Sequence, residues 1–263
     1  MLSNLGSLLR YRGLIQSLVA RELKARYRGS VLGLVWSFVN PLLLLSIYSF
    51  VFTTILPGDD ERTRPFAVFM FCGLLPWTWF ATSLTDATSS LLTGGNLIKK
   101  VLFPAEVLPI VSVLANMVHF LLGLLILVAF MIGFHHYPNV WSLPWFPVVV
   151  AIQLIFTLGL AFGLSAVAVH FRDIRDLLAN VLTLWFFVTP IVYPYFMSSV
   201  SRFLPVFRLN PFYHLAVSYQ EALFFSEFGH ARSLMLLGAL SVVVFLAGYW
   251  LFDRLRDSFA EAV

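Results

Sequence analysis

Long uncharged runs alternate with short charged breaks along this 263-residue chain. Residues 31–56 carry no Asp, Glu, Lys or Arg, and residues 66–92 carry one, Asp86. From Val107 to Phe171 there is again none, although the turn formers His135-His136-Tyr137-Pro138-Asn139 interrupt the stretch. A helix needs about 20 consecutive apolar residues to cross a bilayer. The pattern therefore predicts six spans, near 31–56, 66–92, 107–134, 145–170, 177–197 and 233–252. Residues 200–225 are apolar too, but Arg202, Pro205, Arg208, Asn210-Pro211 and Glu221 break them up. A full span would set those charges in hydrocarbon, so this segment reads as a re-entrant or interfacial hairpin.

Ahead of the first span, Leu5, Leu8, Leu9, Ile15, Leu18 and Val19 recur at helical spacing, with Arg10, Gln16, Ser17, Arg21 and Lys24 largely on the other face. Residues 5–28 thus read as an amphipathic helix in the membrane interface, either a plain basic anchor or one that also touches a cytoplasmic partner. Pro41, Pro76, Pro190 and Pro194 within predicted spans read as static kinks or as hinges. Asp86 is the only acid inside a span and has Thr85, Thr88, Ser89 and Ser90 around it. Those hydroxyls and water are expected to satisfy it, because a proton relay would need partners in other spans and none is evident.

Composition supports the same picture. Sixty per cent of residues are hydrophobic and 11% charged, against about 25% charged in soluble domains. The expected fold class is an all-α membrane protein, with one membrane domain over 1–263 and no sizeable soluble module. Lys and Arg set its orientation. With both termini inside, twelve cations fall on cytoplasmic segments, among them Arg21, Lys24, Arg26, Arg28, Lys99, Lys100, Arg172 and Arg175. Five fall outside: Arg62, Arg64, Arg202, Arg208 and Arg232. The net charge of +4 then follows from topology, and no nucleic-acid partner is expected. The N-terminus lacks the pattern of a cleaved signal peptide. The single cysteine, Cys72, allows no intrachain disulfide.

Motifs for chemistry are sparse. None of the three lysines follows a glycine, so no phosphate-binding loop for ATP is present. The six histidines are scattered and predict no metal site. No paired carboxylates or nucleophile–base arrangement emerges, so the chain is not expected to be an enzyme by itself. A membrane-embedded glycosyltransferase, which would need acids or histidines clustered at the interface, is a remote alternative. No ring-forming or filter-like segment suggests a channel. The best-marked positions are two short inner loops. One carries Asn96, Lys99, Lys100, Phe103 and Pro104, and the other Phe171, Arg172, Asp173 and Arg175. Such loops either cap helix ends or dock onto a cytoplasmic motor. Aromatics make up 16% of the chain. Trp36, Tyr48, Trp185, Phe186, Phe187, Tyr193 and Tyr195 serve either as interface belt and packing or as the lining of a path, where aromatic faces suit sugar rings.

Four blocks carry a resemblance over nearly the full length: Arg21–Trp36 with Pro41; Leu97–Pro104 through Pro109; Phe171–Asp176 leading into Phe187–Pro194; and Leu209-Asn210-Pro211-Phe212. In this order the chain resembles the type-2 ATP-binding-cassette export permeases for polysaccharides and polyol phosphates, which serve O-antigen, capsule and teichoic acid. The resemblance implies a homodimeric transmembrane subunit in a bacterial inner membrane, partnered by two copies of a separate ATPase that binds ATP and Mg. This chain then holds no cofactor. It also implies a polyprenyl-diphosphate glycan as cargo, with a drug or small-lipid exporter of the same superfamily as the alternative. The N-terminal helix and both inner loops would meet the ATPase. Beyond what the resemblance implies, Arg26 and Arg28, with Lys99 and Lys100, are expected to attract the diphosphate at the inner leaflet, since cations there pair with phosphate oxygens. On this reading Arg172→Glu abolishes coupling, and Gly33→Trp disturbs packing at the start of the first span.

Overall fold

The computed structural model describes residues 11–55, 61–98, 103–171, 173–197, 200, 202–225 and 227–259. Lys99, Lys100, Arg172 and the first part of the predicted interface helix lie outside them. The described residues form helices and turns, with no strand. We number the main helices α1 (Arg12–Arg26), α2 (Trp36–Phe50), α3 (Phe66–Thr93), α4 (Val107–Gly133), α5 (Trp145–His170), α6 (Ile174–Phe187), α7 (Leu204–Phe207), α8 (Pro211–Gln220) and α9 (Ala231–Leu255).

Four of these, α3, α4, α5 and α9, are long and apolar enough to cross a membrane. They coincide with four of the six predicted spans. The other two differ from expectation. α2 has 15 residues and begins at Trp36, five residues late, before running into a wider-wound turn at Val51–Ile55. The delay has a backbone cause: Gly29 and Gly33 adopt φ of +81° and +50°, which ends α1 and redirects the chain. A Cβ at Gly33 would meet nothing within 4 Å. Gly33→Trp therefore carries backbone strain of about 1–2 kcal/mol in addition to whatever its indole meets.

α6 departs further. It stops at Phe187 after 14 residues, a rise of about 21 Å against a hydrocarbon core of about 30 Å. Pro190 disfavours helical geometry in the residue before it and offers no N–H of its own, and Pro194 repeats the break. Residues 188–197 consequently form turns, and the predicted span 177–197 is a shorter helix that starts earlier.

α3 is the centre of the bundle and is buried over most of its length, whereas α9 is mostly exposed. Trp77 and Phe80 of α3 form an aromatic nucleus with Trp185 of α6 and Phe212 of α8, and Phe80 also stacks on Phe156 of α5. At the proline inside α3, Gln153 of α5 donates to the Pro76 carbonyl at 2.8 Å. α5 and α9 touch backbone to backbone. A Cβ on Gly248 would lie 1.9 Å from the Gly159 carbonyl oxygen, and one on Gly159 would lie 2.6 Å from the Phe245 backbone.

The packing distinguishes two ends. At one, Leu18 of α1 buries against Val107 and Val111 of α4, and Phe259 joins Leu91, Ala105 and Phe252 with Ile15 alongside. At the other, Phe69 meets Phe224 and Phe225, Trp145 stacks on Phe228, and Tyr195 abuts His230. α8 starts beside Trp77 and Phe80, partway along α3, and its continuation reaches Phe69 at the far end. The predicted hairpin is thus two short helices whose turn, Arg208–Asn210, sits inside the bundle's length.

Candidate functional site

Asp86 was expected to rest on neighbouring hydroxyls, but it does not. Thr85, Thr88 and Ser90 each donate to carbonyls of their own helix, those of Ala81, Leu84 and Ala87, and Ser89 does likewise toward Thr85 and Asp86. Side chains from two other helices meet the carboxylate. Arg26, the last residue of α1, donates through Nη2 to Asp86 Oδ2 at 2.7 Å, and Asn116 of α4 donates to the same oxygen at 2.8 Å. Arg26 Nη1 also donates to Asn116 Oδ1 at 3.0 Å, and the second amide hydrogen of Asn116 goes to the Ser112 carbonyl at 2.9 Å. Asn116 thereby uses both donors and its acceptor. Arg26 also sits where a cation suits the negative end of a helix dipole.

Clefts open on both sides of this triad. One, of about 560 Å³, is lined by Arg26, Trp77, Thr82, Thr85, Asp86, Thr183 and Phe186 among others. The other, of about 320 Å³, lies toward the α1 end and is lined by Arg21, Glu22, Asp86, Ser89, Thr93 and Gly94 with apolar neighbours. Asp86 borders both. The hydroxyls of Thr82 and Thr85 point their hydrogens at their own backbone, which leaves oxygen lone pairs for a ligand's hydroxyl donors. The first cleft therefore combines aromatic faces, acceptor oxygens and one cation.

A third cavity, of about 790 Å³, lies at the far end between Arg62, His136, Tyr195, Phe196, Glu221 and His230. Of its two acids, Glu221 and Glu227, the first is already engaged. Glu221 Oε2 accepts from the backbone N–H of Gly229 and of His230, and Oε1 lies 2.5 Å from His230 Nδ1. This acid fastens the hairpin to the start of α9.

The predicted site residues divide among these places. Arg26 is in the triad, while Arg28 is exposed beyond the end of α1. Phe186 lines the first cleft and Tyr195 the far-end cavity. Trp185 packs on Trp77 and Phe80 and donates its indole N–H to Asn210 at 2.6 Å. Tyr193 donates to the Phe187 carbonyl, and Phe187 itself is exposed. Trp36 donates to Ser30, and Tyr48 packs against the core. The aromatics thus do not form one wall. Asn96 lies in the single turn Gly95–Ile98. Phe103 packs at the α1 end, and Pro104 is buried. Phe171, Asp173 and Arg175 are exposed where α5 passes into α6. Both inner loops therefore share the end that carries α1.

The sequence reading overlooked Asn116 and the role of Asn210. Asn210 caps α8 by accepting from the Phe212 N–H, accepts from Trp185, and donates to Thr189 Oγ1 at 2.9 Å. An Asn-Pro pair opening an apolar run was the available signal.

A bundle with four helices long and apolar enough to cross a membrane, and a cleft among them that carries a few polar groups, is the architecture of a membrane protein. Residues 13–224 match the family described as ABC-2 type transporter. Over 260 residues, 97% of either chain, it is 43% identical to the O-antigen export system permease protein RfbA of Myxococcus xanthus. A Klebsiella pneumoniae protein of the same name is 31% identical over 258 residues, 98% of this chain and 96% of that one. The polysialic acid transport protein KpsM of Escherichia coli is 21% identical over 249 residues, 92% and 93% of the two chains. The chain belongs to the ABC-2 type transporter family, as a permease.

Proposed function

We propose that this chain is the transmembrane subunit of an ATP-driven exporter that carries a polyprenyl-diphosphate-linked polysaccharide outward across a bacterial inner membrane. The observation that carries the reading is the near full-length likeness to a permease named for O-antigen export. The first cleft supports it, since Trp77 and Phe186 offer ring faces, Thr82, Thr85 and Thr183 offer acceptors, and Arg26 offers a cation for a diphosphate. In this reading the α1 end is cytoplasmic, and two copies pair and recruit two ATPase subunits. The ATPase binds ATP and Mg and docks on α1 and the loops around residues 96–104 and 171–176. The hairpin at 200–225 is re-entrant and gates the outer side.

The test is ATP hydrolysis by the permease purified alone and with a candidate ATPase, each with and without a polyprenyl-diphosphate glycan. The expected result is activity in the complex only, changed by the glycan lipid. A complex indifferent to the glycan moves the cargo to a drug or small lipid, and no complex with any ATPase removes the proposal. In the same assay Arg172→Glu is expected to abolish glycan-dependent hydrolysis while the protein still reaches the membrane.

A further inference from the structure

We propose that Asp86 is a built-in stand-in for the cargo's phosphate, so that the Arg26–Asp86 pair is a latch which a phosphate-bearing lipid opens. The inference rests on the reading of Arg26 as a diphosphate ligand and adds what that reading lacks, a resting state and a consequence of binding.

The first observation is occupancy. The guanidinium already holds a carboxylate at 2.7 Å and an amide oxygen at 3.0 Å, and the pair keeps 31% and 38% of its side chains exposed. It is neither sealed in the core nor free. An anion that takes the two N–H directions already in use displaces Asp86 and the Asn116 oxygen from them. A diphosphate, with more charge and more acceptor oxygens, can take both guanidinium N–H directions at once. A single carboxylate or a neutral lipid gains nothing by the exchange. Asp86 thus sets a threshold of charge for the site.

The second observation is position. Asp86 borders both the 560 Å³ cleft and the 320 Å³ cleft, so the pair stands between them. The smaller cleft brings Arg21 to the approach side, and the larger one holds the aromatic and hydroxyl lining. A headgroup passing from one to the other meets Arg21 first and then the latch.

The third is mechanical. Among the described residues, the side-chain hydrogen bonds from α1 to α3 and α4 both come from Arg26. Transfer of Arg26 to a phosphate removes both and leaves α1 held by apolar packing alone, Leu18 against Val107 and Val111 with Leu14, Ile15 and Val19 alongside. α1 is the helix that the proposed ATPase would touch. The latch therefore converts the arrival of cargo into a looser α1, and so reports it to the motor.

The experiment measures binding of farnesyl diphosphate to the full-length permease in lipid nanodiscs, with inorganic pyrophosphate and farnesol as further probes. Asp86→Asn, which removes the competing charge and keeps the shape, is expected to tighten farnesyl diphosphate by about tenfold or more, the weight of one charge-assisted hydrogen bond. Arg26→Gln should weaken it by at least about as much, and the double variant should match Arg26→Gln. Asp86→Glu, which restores the charge, should return binding to near the wild-type value. A gain for pyrophosphate in Asp86→Asn supports a latch that reads phosphate alone, and a gain for farnesol overturns the proposal. If Asp86→Asn does not assemble, Asn116→Leu loosens the same pair and is expected to tighten binding in the same direction. Binding that weakens in Arg26→Gln but does not tighten in Asp86→Asn or Asn116→Leu overturns the latch and leaves Arg26 as a ligand. Binding indifferent to Arg26→Gln overturns the role of Arg26 itself, and the latch with it.

Discussion

Asn210 shows how much one side chain can organise. It caps α8, receives the Trp185 indole N–H and holds Thr189, joining the hairpin turn to the end of α6. Asn210→Ala strands a partly buried indole donor and leaves the first turn of α8 uncapped, a loss of about 1–3 kcal/mol. Asn210→Asp keeps both accepting roles and gives up donation to Thr189, so it should fall between. Thermal unfolding in detergent, followed through tryptophan emission, checks the order wild type, Asp, Ala. The residue scale is also where the sequence was least legible. Arg26 and Asp86 are 60 residues apart, and nothing in the spacing joins them. A lone acid in a span did signal the need for a partner, but local hydroxyls seemed to answer it. Those hydroxyls are committed to their own helix, as Ser and Thr within helices often are, and this is what left Asp86 for Arg26.

Elements were more legible, because the absence of charge over 20 residues has one physical meaning in a membrane protein. α3, α4, α5 and α9 fall where the uncharged runs place them. α6 did not, because Thr189-Pro190 and Tyr193-Pro194 are uncharged, so the run continues through them, while their backbone cannot continue a helix. Helix pairing was not visible in hydropathy either, although Gly159 and Gly163 stand four apart, a spacing that lets membrane helices approach closely. The contact Gly159 makes with α9 is close enough to forbid a methyl group, whereas a Cβ on Gly163 would be in ordinary contact 3.8 Å from Gly248. Gly248→Ala places its Cβ against the Gly159 carbonyl and Gly159→Val drives into the backbone at Val244 and Phe245, so neither clash is relieved by a rotamer change. Overpacking costs about 1–3 kcal/mol when side chains can yield and more when backbone must move. Both variants should unfold at lower temperature than wild type, whereas Gly133→Ala, where a Cβ has nothing within 4 Å, should match it. Equal melting of all four proteins would contradict the close α5–α9 contact.

At the scale of the whole molecule the open question is what covers the 560 Å³ cleft. Its lining includes Arg26, Asp86 and three threonines, and such groups are costly to leave facing hydrocarbon. α6 forms one wall through Ala179, Leu182, Thr183 and Phe186, and beside that wall it exposes Leu177, Val181 and Leu184. α9 exposes Leu236, Leu240 and Val243, none of which borders that cleft; Leu236 and Leu240 line a smaller one of about 180 Å³ beside Arg208 and His214, while Val243, Leu246 and Trp250 form a surface that lipid covers without loss. The asymmetry assigns the two faces. A second copy set against α6 would close the cleft into a shared path, while α9 would stay lipid-facing. A homodimer is expected only through resemblance, since both faces read as uncharged spans. Cys72 is the single cysteine and is buried, so one introduced thiol can report proximity with little background. Leu184→Cys in native membranes should give a disulfide-linked dimer on mild oxidation, and Val243→Cys should remain monomeric under the same treatment. The reverse pattern would place the second copy on α9 and leave the cleft open to lipid, a result that the polar lining would then have to be reconciled with through some other cover.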